Sequence, residues 1–256
     1  MIAHYQVILA YDGTHFAGFQ RTVRRRTVQG VVEEALRRIG WNERSLLAAG
    51  RTDTGVHAAG QVIAFSLDWG HSLDDLRNAL NANLPADVAA RSVALASPGF
   101  HPRFEALSRR YRYYLSCQPV RDPLLERYAW RVWPPLELSR LQVTAGCFLG
   151  THDFTAYGKA PRLGGSTVRT VTRSAWFEDG ERWVFEVAAN AFLYHMVRRM
   201  VFLQVAVARG KLSLADLQAS LLGKSKCATS LAGIAPAHGL VLVEVEYPPE
   251  ANNRVG

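Results

Sequence analysis

The chain has 256 residues, 48% of them apolar, and carries 30 Lys and Arg against 22 Asp and Glu, a formal charge of +8. Apolar residues spread over the whole length exclude an intrinsically disordered chain up to Tyr247 and can fill one large core or two smaller ones. The basic balance favours a polyanionic partner, with a surface kept basic for solubility as the competing reading.

Lys occurs only at Lys159, Lys211, Lys224 and Lys226, so nearly all the positive charge is Arg. A planar guanidinium pairs phosphate bidentately and stacks on bases, which an ammonium does not. Cys117, Cys147 and Cys227 form neither a CxxC pair nor an even disulfide set. The eight histidines show no metal-ligand spacing, so no metal and no metal-borne cofactor is expected. His4, Gln6 and Asp12 interrupt the only N-terminal apolar run, and no apolar stretch has bilayer-spanning length. A cytoplasmic protein without a membrane partner is the resulting expectation.

In chain order, residues 4–11 read as a strand. Residues 27–40 read as a helix, with Val28, Val31, Val32, Ala35, Leu36 and Ile39 at helical spacing and Gly40 to close it. Residues 45–50 and 59–66 read as strands around the loop GRTDTGVHAAG. A second helix is expected over 72–82, capped by Ser72 with Asp75 three residues on, and a strand over 86–96. This β-α-β-β-α-β order is the split ferredoxin-like pattern. A similar order returns with more insertion: a strand at 107–117, a helix at 137–149, and strands at 168–177 and 182–189. An apolar helix near 193–209, a short helix at 213–222 and a strand at 240–247 follow. The expected fold class is therefore α+β, with domains at 1–106 and 107–247 and a tail at 248–256.

The most unusual segment is residues 50–57, GRTDTGVH. Gly50 and Gly55 permit a tight excursion, and between them Arg51 and Asp53 stand two apart. In extended chain those side chains share a face, where Arg51 would hold Asp53 ionised. A plain strand-connecting turn with a surface ion pair fits the octapeptide equally well. Asp53-Thr54-Gly55 also has the form of an aspartic-protease triplet. That chemistry needs two carboxylates, and the chain has one such triplet.

Other segments suit an RNA surface. In Arg109-Arg110-Tyr111-Arg112-Tyr113-Tyr114, alternation puts Tyr111 and Tyr113 on one face and Arg110, Arg112 and Tyr114 on the other. Interleaved aromatics and arginines can stack bases and pair phosphates, and a half-buried strand with exposed arginines has the same spacing. Arg21 with Arg24, Arg25 and Arg26 forms a run before the first helix, and Phe100-His101-Pro102-Arg103-Phe104 closes the first half. Arg198 and Arg199 sit inside the apolar stretch of the later helix. A buried arginine needs a partner, and Asp53 is the natural carboxylate; snorkelling at the helix margin is the alternative.

Taken together, these segments resemble the TruA family of tRNA pseudouridine synthases over residues 5–247. The loop GRTDTGVH matches the family's signature around its catalytic aspartate, here Asp53, and RRYRY matches the strand whose first tyrosine, here Tyr111, packs on the target base. Further matches are Gln20 with Arg21, Thr27-Val28-Gln29-Gly30, Asn83-Leu84-Pro85, residues 100–104, His152-Asp153-Phe154 and Asn190-Ala191-Phe192. Met196-Val197-Arg198 and Gly239-Leu240 with Leu242 complete the set. The resemblance implies two ferredoxin-like (RRM-like) domains whose antiparallel sheets join, an active-site cleft between them, and a homodimer that grips tRNA. It implies isomerisation of uridines 38, 39 and 40 in the anticodon stem-loop on a flipped-out base, without cofactor. Asp53, Tyr111 and Arg198 would be catalytic. Arg51, Tyr111 and Leu242 would bind the target nucleotide. Arg21, Arg24, Arg25, Arg26 and the 100–104 segment would hold the RNA. Thr54 stands where many relatives carry alanine, and residues 158–169 match the family poorly.

Overall fold

A computed structural model describes residues 1–162, 164–223 and 231–249. Lys224, Lys226, Cys227, position 163 of the poorly matching stretch and residues 250–256 of the expected tail lie outside the described residues. The chain divides into two compact units, Met1–Ser108 with the segment from Leu242 onward, and Arg109–Val241. Each combines helices with a mostly antiparallel sheet, the α+β class.

The first unit contains β1 (Ile2–Tyr11), α1 (Val28–Arg38), β2 (Leu47–Ala48), β3 (His57–Asp68), α2 (Leu73–Asn83) and β4 (Val88–Leu95). Strand β1 lies between β3 and β4 and is antiparallel to both, while β2 pairs on β3. Alternate residues of β1, Tyr5, Val7, Leu9 and Tyr11, are buried, as a one-sided strand requires. Helix α1 buries Val28, Val32, Ala35 and Leu36, and Thr27 caps it by accepting the Gly30 amide. Helix α2 begins with the expected Ser72–Asp75 capping box.

Strand β2 is much shorter than the expected 45–50. The Leu46 amide donates to the carboxylate of Glu33 on α1 instead of to a neighbouring strand. Glu33 is fully buried and receives a crowd of donors: the Arg21 guanidinium, the Gln29 amide at 2.8 Å and, more distantly, Arg37 at 3.7 Å. A buried carboxylate is tolerable only with such partners, and here they tie the chain on both sides of α1 together.

The second unit contains β5 (Ser108–Ser116), β6 (Trp130–Arg131), α3 (Leu138–Gly146), β7 (Gly150–Asp153), β8 (Val168–Asp179), β9 (Arg182–Ala189), α4 (Met196–Ala208) and α5 (Leu214–Leu221). Strand β9 runs antiparallel between β5 and β8, β7 pairs on β8, and β6 is parallel to β5. Helix α3 packs on β8 and on α4. The last strand, β10 (Leu240–Glu246), enters the first unit at Leu242.

Two elements here have no counterpart in the sequence expectation. Strand β7 reads Gly-Thr-His-Asp and lacks apolar alternation; its pairing includes a Thr151–Thr170 hydroxyl contact at 2.8 Å. Strand β6 is only two residues long. Helix α4 begins at Met196, later than expected, because His195 takes a left-handed conformation with φ 67° that an α-helix cannot include.

Candidate active site

Asp53 is half-buried in the loop between β2 and β3, between the buried Thr52 and the exposed Thr54. The loop is braced by the segment that leaves β1. Phe19 N–H donates to the Thr52 carbonyl at 3.0 Å, and Gly55 N–H to the Phe16 carbonyl at 3.3 Å. Val56 N–H closes the turn onto the Asp53 carbonyl at 3.1 Å. Side chains add to this. The Tyr11 hydroxyl lies 2.8 Å from Thr52 Oγ1, and Gln61 Nε2 donates to the Gly50 carbonyl at 3.0 Å. His57 Nδ1 accepts the Gly13 amide at 3.0 Å. Gly18, at φ 94°, passes so close that a Cβ would stand 2.9 Å from the Thr52 carbonyl oxygen. The path therefore requires glycine both for its left-handed backbone and for the close approach. Arg51 is exposed.

The basic run before α1 is exposed but not uniformly available. The Arg21 guanidinium is engaged by Glu33, and Arg26 forms a bidentate pair with Asp87 at 2.6 and 2.8 Å while lying 4.0 Å from the centre of the Phe16 ring. Hydrogen bonds from Arg26 hold the Asp87 carboxyl below its usual range, against a partial opposition from burial. Arg24, at φ 63°, and Arg25 are exposed.

The 100–104 segment is likewise mixed. Phe100 is buried edge-on against Tyr247 at 5.2 Å, and buried Pro102 offers its carbonyl to the Tyr247 hydroxyl at 2.7 Å. These two residues anchor the segment. Arg103 and Phe104 face solvent, with the His101 and Phe104 rings 4.2 Å apart. Leu242, also of this unit, is buried in β10.

In the second unit, Tyr111 is half-buried on β5 and meets Phe192 edge-on at 5.2 Å. Tyr113, on the same face, is fully buried and donates its hydroxyl to the Pro236 carbonyl at 2.8 Å. Burial pushes its ionisation well up, so it stays a neutral donor. On α4 the two arginines staple the chain ahead of β10. Arg198 Nε donates to the Ala235 carbonyl at 2.8 Å, and buried Arg199 donates to the Gly233 carbonyl at 2.5 Å.

Sequence reasoning overlooked two groups. One is the brace formed by Tyr11, Gly13, Phe16, Gly18 and Gln61; two glycines among aromatics in YDGTHFAGF were the available signal. The other is Glu186, buried on β9 under Arg112 at 2.7 Å, Arg173, and Arg110 at 3.7 Å. Burial raises the Glu186 carboxyl, but the hydrogen bonds from Arg112 and Arg173 outweigh it and hold it low. Its distance in sequence from β5 hid that partnership. No group of His, Cys, Asp and Glu suited to a metal ion, and no helix long and apolar enough to cross a membrane, occurs among the described residues.

The model of the tRNA pseudouridine synthase family matches residues 7–105 and 145–248, which puts the chain in an RNA-modifying class. This chain belongs to that family, which removes the aspartic-protease reading. Among curated relatives it is 42% identical to the tRNA pseudouridine synthase A of Chloroflexus aurantiacus over 95% of this chain and 88% of that one. It is 40% identical to that of Geobacillus kaustophilus over 98% and 96%, and 39% identical to that of Shouchella clausii over 93% and 91%.

Proposed function

We propose that the chain converts uridine to pseudouridine at positions 38, 39 and 40 of the tRNA anticodon stem-loop, with Asp53 as its catalytic carboxylate. The reaction breaks the N1–C1′ bond, turns the base, joins C5 to C1′, and moves one proton from C5. It is an internal rearrangement with no net oxidation or hydrolysis, so its chemistry requires no cofactor. Cleavage builds positive charge at C1′, which a carboxylate can stabilise, attack, or relieve by taking a proton from C2′.

The observation that carries this reading is the fixed backbone on both sides of Asp53 in a chain of this family. Placing a carboxylate within a fraction of an ångström is what such chemistry demands. The other roles follow the family resemblance. Arg198 would neutralise and orient Asp53, Tyr111 would stack on the extruded base and relay the C5 proton, and Leu242 would wall the base. Arg51, exposed beside Asp53, would fill the space the base vacates. Arg21, Arg24, Arg25, Arg26, Arg103 and Phe104 are the exposed members of the proposed RNA grip, Arg21 and Arg26 being paired with Glu33 and Asp87, with His101 beside them and Phe100 and Pro102 as its buried anchors. The strand order β4-β1-β3 with β2 on β3 supports a ferredoxin-like first unit. A homodimer and a cytoplasmic location complete the proposal.

The test is an unmodified anticodon-arm transcript incubated with the protein and mapped by carbodiimide-dependent reverse-transcription stops. Stops at positions 38, 39 and 40 are expected. Stops elsewhere, or none, would contradict the assignment.

A further inference from the structure

The braces around Asp53 are unequal. Three are backbone contacts and three depend on buried side chains, of which Tyr11 and Gln61 act on the stretch leading into Asp53. Tyr11 is the last residue of β1, and its hydroxyl reaches the hydroxyl of Thr52, the residue immediately before Asp53. Gln61 is fully buried on β3, grips the Gly50 carbonyl and stands near enough to the Tyr11 hydroxyl to lower its ionisation slightly against the burial that raises it. The chain from Gly50 to Asp53 is therefore held at two of its four residues by side chains of the central strand pair β1–β3. Burial pushes Tyr11 up to about 12, so its hydroxyl keeps its proton across the working pH range.

We infer that Tyr11, acting through Thr52 and backed by Gln61, is a positioning residue that sets the Asp53 carboxylate for its step at C1′. Tyr11 is buried, so it has no access to RNA of its own. Its reach ends at Thr52 Oγ1, one residue short of the carboxylate. A packing role alone would need the ring and not the hydroxyl, because Tyr11 already rests against Phe19 with ring centres 6.4 Å apart. The hydroxyl adds direction. It fixes the side-chain rotamer of Thr52, whose carbonyl is simultaneously held by Phe19 N–H, and so fixes the peptide plane leading into Asp53. The inference rests on Asp53 being the catalytic carboxylate.

The test compares Tyr11→Phe, Thr52→Val, the double variant and Thr52→Ser, with Asp53→Asn in parallel, on folded protein. The single Tyr11 and Thr52 variants each remove or retain one hydroxyl, the double removes both, and Asp53→Asn removes the charge. A misplacement near 1 Å costs about a hundredfold in rate, so kcat should fall about ten- to a hundredfold in Tyr11→Phe and in Thr52→Val. KM and tRNA affinity should stay unchanged. The double variant should be no worse than about twofold below the weaker single, since both delete the same bond. Thr52→Ser should retain most of kcat. If Tyr11→Phe fails to fold, the Thr52→Val and Thr52→Ser pair carries the same comparison. A kcat within about twofold of wild type in Tyr11→Phe and Thr52→Val, with only melting temperature lowered or only KM raised, would overturn the inference. An active Asp53→Asn would instead sink the assignment of Asp53 itself.

Discussion

A Cβ placed on Gly13 would stand 2.0 Å from the carbonyl oxygen of Val56, so the exit of β1 and the loop of Asp53 touch backbone to backbone. Neither side has a flexible side chain to move aside. Gly13→Ala should therefore cost about 1–3 kcal/mol, as overpacking of a close-fitted interior does, and should also lower turnover by shifting the loop. Thermal melts and single-turnover rates on one preparation would check this. Unchanged values of both would mean the two segments yield freely.

The arginines before α1 should separate by role. Glu33 is buried beneath the half-exposed Arg21 guanidinium, so Glu33→Ala should cost about 1–3 kcal/mol, chiefly by stranding the buried Gln29 amide and Leu46 N–H donors. Arg21→Ala should lower stability as well as tRNA affinity. Arg25→Ala, at an exposed position, should leave the melting temperature alone. If Arg25 meets a phosphate, its loss should flatten the log–log salt dependence of tRNA binding by about 0.7–0.9. Equal losses of stability in the Arg21 and Arg25 variants would contradict the division.

The Arg26–Asp87 pair predicts an acid limb of defined sign. The folded Asp87 carboxyl lies below its unfolded value, so its contribution to stability is present above about pH 4 and is lost as pH falls through the folded value. Asp87→Asn should be less stable than wild type near neutrality by an amount that shrinks on acidification. Both groups are partly exposed, so salt should also reduce the gap. Melting temperatures against pH for the two proteins would show this, and a gap that widens towards acid would refute it.

Tyr111 offers a test of stacking against proton transfer. Its ring is half-buried against Phe192, and Tyr111→Phe preserves that contact. The Phe variant should bind tRNA normally but turn over slowly, whereas Tyr111→Ala should lose both. Normal turnover in the Phe variant, measured beside affinity, would reduce Tyr111 to a packing residue.

Much of the fold was legible because its signals are local. The Ser72–Asp75 box, the periodic apolar face of α1 and the alternation in β1 each act within a few residues, and each forms where expected. The misses came from long-range competition. Glu33 takes the Leu46 amide and shortens β2, and β7 draws its pairing from β8 although its own sequence is polar. At the candidate site, the loop itself could be read from its glycines and charges. Its brace could not, because Tyr11 and Thr52 are 41 residues apart and nothing in the periodicity of β1 distinguishes Tyr11 from the core residues Tyr5, Val7 and Leu9.

The most direct test of the central claim is turnover of an anticodon-arm transcript by Asp53→Asn, measured with its melting temperature and tRNA affinity. The substitution keeps size and most hydrogen-bonding capacity but removes the charge and the nucleophile. The account predicts a folded protein with near-normal affinity and no detectable pseudouridine. A surface ion pair would be worth only about 0–1 kcal/mol, and its loss would spare activity. An Asp53→Asn protein that converts uridine at more than a trace of the wild-type rate would contradict the account.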